Sequence, residues 1–168
     1  MGRPLNRERD QMIRIETAVR APLDEVWRAW TTSSGMAEFH PPGASIDLRV
    51  GGAWDVAFDL DEDAHDDFAE GGRVVSYLPR ELLSVEWTSR MPSGRELQSR
   101  VVVLFERMGR STRVKLAHLR LHDDEGAGIR QHLEQSWRTL LGELEQHYGR
   151  SDERPSRRGR RPRAMAMA

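Results

Sequence analysis

The chain has 168 residues with a formal charge of −1, which suits one domain large enough to bury a sizeable core. It has no cysteine, which excludes disulfides, thiolate metal sites and cysteine nucleophiles. No apolar run approaches the roughly 20 residues that cross a bilayer, and the polar start MGRPLNRERDQ is no secretory signal, so a cytoplasmic protein is expected.

Taken in order, the chain first predicts a half-buried strand in which Ile13, Ile15, Thr17 and Val19 alternate with Arg14, Glu16 and Ala18. Ala21-Pro22 opens a helix at its first turn, with Asp24 and Glu25 suited to the dipole and Val26, Trp27 and Trp30 on its apolar side. A short second helix is expected from Gly35 to Phe39 and ends before Pro41-Pro42-Gly43. From Ile46 the period becomes two. Ile46, Leu48 and Val50 lead to a Gly51-Gly52 turn or bulge, and Trp54, Val56 and Phe58 follow as a further strand. Between Asp59 and Glu70 lies an acidic stretch with acids at positions 1, 3, 5, 9 and 12, as in a calcium-binding loop. Ala64 stands where that loop needs glycine and the flanks alternate as strands, so it reads as an acidic hairpin loop with weak attraction for cations at most.

Four more strands are expected: Arg73 to Leu78, then Leu83-Val85-Trp87, Val101-Val103-Phe105 and Val114-Leu116-His118. A loop from His122 to Gly128 leads to a long helix whose stripe is Ile129, Leu133, Trp137, Leu140, Leu141, Leu144 and Tyr148. Strands followed by a long amphipathic helix specify an α+β fold with an antiparallel sheet that buries the helix stripe. Residues 1–10 are expected to be a flexible N-terminus, 11–149 the folded domain and 150–168 a disordered tail. That tail holds seven arginines against Asp152 and Glu153, a net charge of about +5 that leaves the rest near −6. No aromatic residue interleaves with those arginines, so nucleic acid is at most a weak, salt-sensitive contact of the tail.

The order of these pieces resembles the helix-grip fold of the START-like, or SRPBCC, superfamily. Within it the chain is similar to the family of homologues of the activator of the heat-shock-protein-90 ATPase, C-terminal domain type. The resemblance rests on Ala21-Pro22 with Val26-Trp27, Asp47-Leu48-Arg49-Val50-Gly51-Gly52, Gly72-Arg73-Val74, Leu78-Pro79 with Glu81-Leu82-Leu83 and Trp87, Phe105-Glu106, Thr112 to His118, and Trp137 to Leu144. Where members often carry paired tryptophans after the second helix, this chain reads Glu38-Phe39-His40-Pro41. The resemblance implies a curved antiparallel sheet of about six or seven strands around the long helix, with two short helices after strand 1. It also implies the superfamily's range of roles: binding of lipids, steroids or polyketides, cyclase chemistry in a few members, and chaperone-ATPase stimulation in one branch.

If the sheet curves, a cavity is expected between it and the long helix. Its candidate lining is Trp30, Phe39, His40, Trp54, Phe58, Trp87, Val103, Leu116, His118, Trp137 and Leu141. His118 shares an inward face with Val114 and Leu116, where a histidine is either a hydrogen-bonded core residue, a group that orients a ligand, or an acid–base. The first reading is a small apolar ligand as partner, with no cofactor, metal or membrane. One alternative is a cyclase or dehydratase-like enzyme using His118 or His40, and another is a co-chaperone or protein-interaction module. Monomer and homodimer stay open. Outward positions Arg14, Glu16, Ser84, Glu86, Arg113 and Lys115 argue mildly against an apolar docking face. Signatures of phosphate loops, zinc proteases, serine hydrolases and dinucleotide folds are absent from the sequence.

Overall fold

A computed structural model describes residues 12–57, 69–91, 93–121 and 128–149. Most of the acidic stretch Asp59–Glu70 (its residues up to 68), residues 1–11, the tail 150–168 and residues 122–127 of the expected loop lie outside the described residues, as does the candidate Phe58; 69 and 70 already belong to a strand. Strand β1 (Ile13–Val19) is followed by helices α1 (Leu23–Thr31) and α2 (Ser33–Phe39). Then come β2 (Ala44–Ile46), β3 (Trp54–Val56), β4 (Ala69–Leu78), β5 (Leu82–Arg90), β6 (Glu96–Met108), β7 (Ser111–Leu119) and the long helix α3 (Gly128–Gly149). All neighbours are antiparallel, in the order β1-β7-β6-β5-β4. The helix stripe from Ile129 to Tyr148 is buried on this sheet, which is the helix-grip arrangement.

The expected six or seven strands are seven, divided into the five-stranded sheet and a β2–β3 ribbon. The division has a local cause. Beside β4 the ribbon bonds through Gly51 and Gly52 to Val74, and Gly72 N–H donates to the Asp55 side chain (2.9 Å) rather than to a carbonyl. A carboxylate thus replaces part of the ladder, and one isolated bridge, Ala53 to Arg73, remains. A Cβ on Gly72 would lie 2.5 Å from the Trp54 carbonyl oxygen and 2.6 Å from Val85, so only glycine lets the ribbon approach this closely.

Two boundaries differ from the sequence reading. Helix α2 starts two residues earlier, at Ser33, because Thr32 caps it by accepting from Gly35 N–H at 3.0 Å. The strand expected over Ile46, Leu48 and Val50 ends at Ile46. Asp47 to Gly52 turn back on themselves instead, and Val50 is exposed. Alternating apolar residues predict a strand only where a partner lies alongside, and here the chain has already reached its turn.

Helix α3 runs beside β1 and is tied to it near both ends. Arg130 donates to the Met12 carbonyl (3.2 Å) and Thr17 donates to Glu145 (2.7 Å). Outside the sheet, Arg113 meets Glu16 (2.9 Å) and Lys115 meets Glu106 (3.1 Å). These are exposed pairs of small energetic weight, each about 0–1 kcal/mol.

Candidate functional site

Strand parity aims a specific set of side chains at α3. On β5 these are Leu83, Val85, Trp87 and Ser89; on β6, Leu97, Ser99, Val101, Val103 and Phe105; on β7, Thr112, Val114, Leu116 and His118. The polar members Ser89, Ser99 and His118 are grouped by register. Ser99 faces Trp87 across one ladder, and His118 faces Val101, two residues further along β6, across the next. Trp137 descends from α3 onto this group.

The bonds among them run in one direction. Trp137 Nε1–H donates to His118 Nδ1 (3.0 Å), because an indole nitrogen can only donate. Nδ1 therefore carries no hydrogen, and the neutral ring must hold its proton on Nε2, an assignment made from the bonding network. Nε2–H then donates to Ser99 Oγ (2.6 Å), whose hydroxyl points to the Trp87 carbonyl at 3.4 Å. Burial with no charged partner pushes the His118 pKa down from 6.5 to about 3. The ring is thus a locked, neutral tautomer. A serine beside a histidine suggests a nucleophile and its base, but here the histidine nitrogen facing Ser99 already holds a proton and cannot take another as a neutral base.

Four tryptophans surround this group and are fully buried. Trp54 stacks on Trp137 with ring centres 6.1 Å apart, meets Trp30 at 5.7 Å and Trp87 at 6.2 Å, and donates from Nε1 to the Trp30 carbonyl. Trp87 stands edge-on to Trp137 at 5.0 Å. Tryptophan side chains therefore pack around His118 in the region where the cavity was expected. Two concavities among the described residues lie elsewhere. One, of about 520 Å³, opens on the outer sheet face among Arg14, Glu16, Val102, Leu104, Lys115 and Ala117. The other, of about 260 Å³, lies at the β3–β4 junction around Asp55, Gly71 and Glu86.

Of the candidate residues, Trp30, Trp54, Trp87, His118 and Trp137 come together as one group. Val103 and Leu116 are buried opposite each other on the sheet's inner face, and Leu141 lies one helical turn beyond Trp137. Phe39 and His40 are also buried, but His40 serves a different contact. Its Nδ1 lies 2.6 Å from Glu143 Oε2 on α3 and its Nε2 meets the Ala57 carbonyl. With both nitrogens engaged, it offers neither to a substrate in this arrangement. Among the described residues no cluster of histidine and acidic side chains could hold a metal.

Sequence reasoning missed Ser89, Ser99 and Glu143. The two serines were legible, because each sits in phase with the apolar residues of its own strand. Ser89 Oγ and Trp30 Nε1 are buried and have no hydrogen-bond partner among the described residues.

Comparison with known proteins agrees with this architecture. DynU16, from the dynemicin biosynthetic locus, is 22% identical over 84% of this chain, with a TM-score of 0.66. The match takes in only 48% of DynU16, so the chain spans about half of that protein. CalU16 from Micromonospora echinospora is 20% identical, covering 84% of this chain and 78% of its own, with a TM-score of 0.62. The Aha1 dimer from Colwellia psychrerythraea is 17% identical, covering 82% of this chain and 95% of its own, with a TM-score of 0.63. At these identities the likeness concerns the fold. No curated protein matches the chain in sequence. Residues 20–149 match the family model described as activator of Hsp90 ATPase homolog 1-like protein, and the chain belongs to that family.

Proposed function

We propose that this protein binds a small, mainly apolar ligand in the tryptophan-lined interior between sheet and long helix. The observation that carries the reading is that two buried polar atoms, Ser89 Oγ and Trp30 Nε1, have no hydrogen-bond partner among the described residues. A buried donor without a partner costs about 1–3 kcal/mol, and native cores hold few of them. Ser89 Oγ and Trp30 Nε1 are two such atoms in the tryptophan-rich interior. A ligand with a hydrogen-bond acceptor could satisfy either of them, while the indole rings supply flat apolar walls.

Binding requires a tryptophan to move, and Trp54 is the residue on the ribbon. Displacing it breaks three ring contacts and one hydrogen bond. At about 0.5–1.5 kcal/mol for each ring pair and about 1 for the hydrogen bond, opening costs roughly 3–5 kcal/mol. Such a cost weakens the apparent affinity of a ligand roughly 100- to 5,000-fold below its affinity for the open form.

Native mass spectrometry of the purified protein for a co-purified molecule, followed by titration with the neutral apolar dye Nile red, tests the proposal. Saturable one-site binding that quenches tryptophan emission is the expected result. A folded protein that carries no small molecule and shows no saturable dye binding would refute it.

A second reading, a protein-interaction module, draws support from the outer-face groove. There Val102, Leu104 and Ala117 interrupt the charged positions, and Leu104 and Met108 are exposed. The family's activator description and the dimeric relative suit that reading, and pull-down with the groove variant Leu104→Glu against wild type distinguishes it.

A further inference from the structure

We propose that His40 is a latch that holds the β2–β3 ribbon, and with it Trp54, closed against the long helix. His40 sits at the C-terminal cap of α2, just before Pro41-Pro42-Gly43, and its own backbone N–H closes that helix on Met36. Its side chain is 2% exposed and bridges two elements distant in sequence. Glu143 of α3 lies 2.6 Å from Nδ1, and the carbonyl of Ala57, the residue after β3, meets Nε2. Both partners are acceptors. A ring with one N–H satisfies one of them, whereas a ring with two N–H groups satisfies both and carries the charge that complements the carboxylate. On the two short helices Arg28 pairs with Glu38, two residues before His40, at 3.1 Å.

The ring therefore does what the Trp54–Trp137 stack also does: it ties ribbon to helix. Glu143 is partly exposed, at 31%, so the latch can be reached from solvent although the histidine cannot. Releasing it would free the segment that carries Trp54, the ring that occupies the interior. This last consequence rests on the ligand-binding reading above; the latch itself does not.

Hydrogen exchange read by mass spectrometry on the full chain tests the latch, comparing wild type with Glu143→Ala, Glu143→Gln and Glu145→Ala. A hydrogen bond to a charged group is worth enough that its loss should speed exchange of residues 44–57 in Glu143→Ala by roughly 10- to 100-fold. Residues 82–90 and 111–119 should exchange as before. Glu143→Gln should stay within a few-fold of wild type, because its amide can donate to Nδ1 of a ring whose hydrogen is on Nε2. Glu145→Ala, which removes the Thr17 bond from the next part of the same helix, should leave the ribbon unchanged. Should Glu143→Ala fail to fold, His40→Gln takes its place, since one amide nitrogen can serve only one of the two oxygens; an unloosened ribbon there overturns the latch. Ribbon exchange unchanged in Glu143→Ala, or accelerated equally in every strand, also overturns it. Nile red titration of the same proteins separates the two proposals. A loosened ribbon with no dye binding in any variant keeps the latch and removes the ligand reading. Dye binding by wild type with identical ribbon exchange in all variants does the reverse.

Discussion

Acid should destabilise this protein through His118, and the size of the effect follows from its burial. In the folded state the ring is neutral, with its pKa pushed down to about 3 from 6.5. The unfolded chain binds a proton at this residue below about pH 6.5, while the folded chain refuses it until about pH 3. Between those values the unfolded state holds more protons, so stability falls as pH falls. Each pH unit of that window is worth about 1.4 kcal/mol. Relative to pH 7, the residue should cost the fold about 2 kcal/mol at pH 5, rising to about 4–5 kcal/mol near pH 3. The Trp137 N–H aimed at Nδ1 reinforces the effect, because a protonated Nδ1 would face another donor.

Other groups also titrate in this range, so a comparison with one variant isolates the term. His118→Gln keeps a carbonyl for Trp137 and an amide for Ser99 but cannot take up a proton. Urea unfolding followed by tryptophan emission, at pH 7 and pH 5, gives four stabilities. Wild type should be more stable than the variant at pH 7 by about 0.5–1.5 kcal/mol, the net worth of a well-placed hydrogen bond. That advantage should shrink by about 2 kcal/mol at pH 5, which makes the variant the more stable protein there by about 0.5–1.5 kcal/mol. Parallel profiles, with the same difference at both pH values, would show that His118 can protonate inside the fold and that the locked-tautomer argument is wrong.

Three further outcomes are expected. Gly72→Ala drives a Cβ into the Trp54 carbonyl and Val85, so thermal and urea unfolding should report a loss of about 1–3 kcal/mol, whereas the same change at Gly128, where nothing lies within 4 Å, should cause no steric loss. Trp137→Ala should lose about 3–5 kcal/mol by cavity creation, and Trp137→Phe less, so that calorimetry ranks them in that order. Deleting residues 150–168 should leave the melting temperature unchanged, since that segment offers no apolar stripe to bury; a drop of several degrees would move the domain boundary.

The fold was legible because its long elements carry strong periodicity. The stripe from Ile129 to Tyr148 and the inward sets of β5, β6 and β7 are buried as their spacing requires. The ribbon was less legible, because β2 and β3 are three residues each and their pairing depends on where Gly51, Gly52 and Gly72 let the backbone pass. The interior group was half legible. Parity aims His118 at the helix, but periodicity cannot supply its partners, which arrive from β6 and α3 through tertiary packing. For His40 the sequence offered still less: its contact with Glu143 spans 103 positions, and nothing local in either segment announces it.

The Ser99–His118 pair shows why a chemically suggestive juxtaposition has to be read through its hydrogens. At 2.6 Å, the distance alone would fit a nucleophile with its base. What decides the matter is a third residue on the other side of the ring. Because Trp137 can only donate, it fixes which nitrogen is bare, and the bare one faces away from the serine. To turn the pair into a base and nucleophile, the indole would have to withdraw and the ring change tautomer. Withdrawal would also break the Trp54 and Trp87 contacts that close the interior. A ligand that displaces Trp137 would therefore alter two things together, the room inside the grip and the protonation pattern of the histidine within it. As the three residues stand, the network specifies a core.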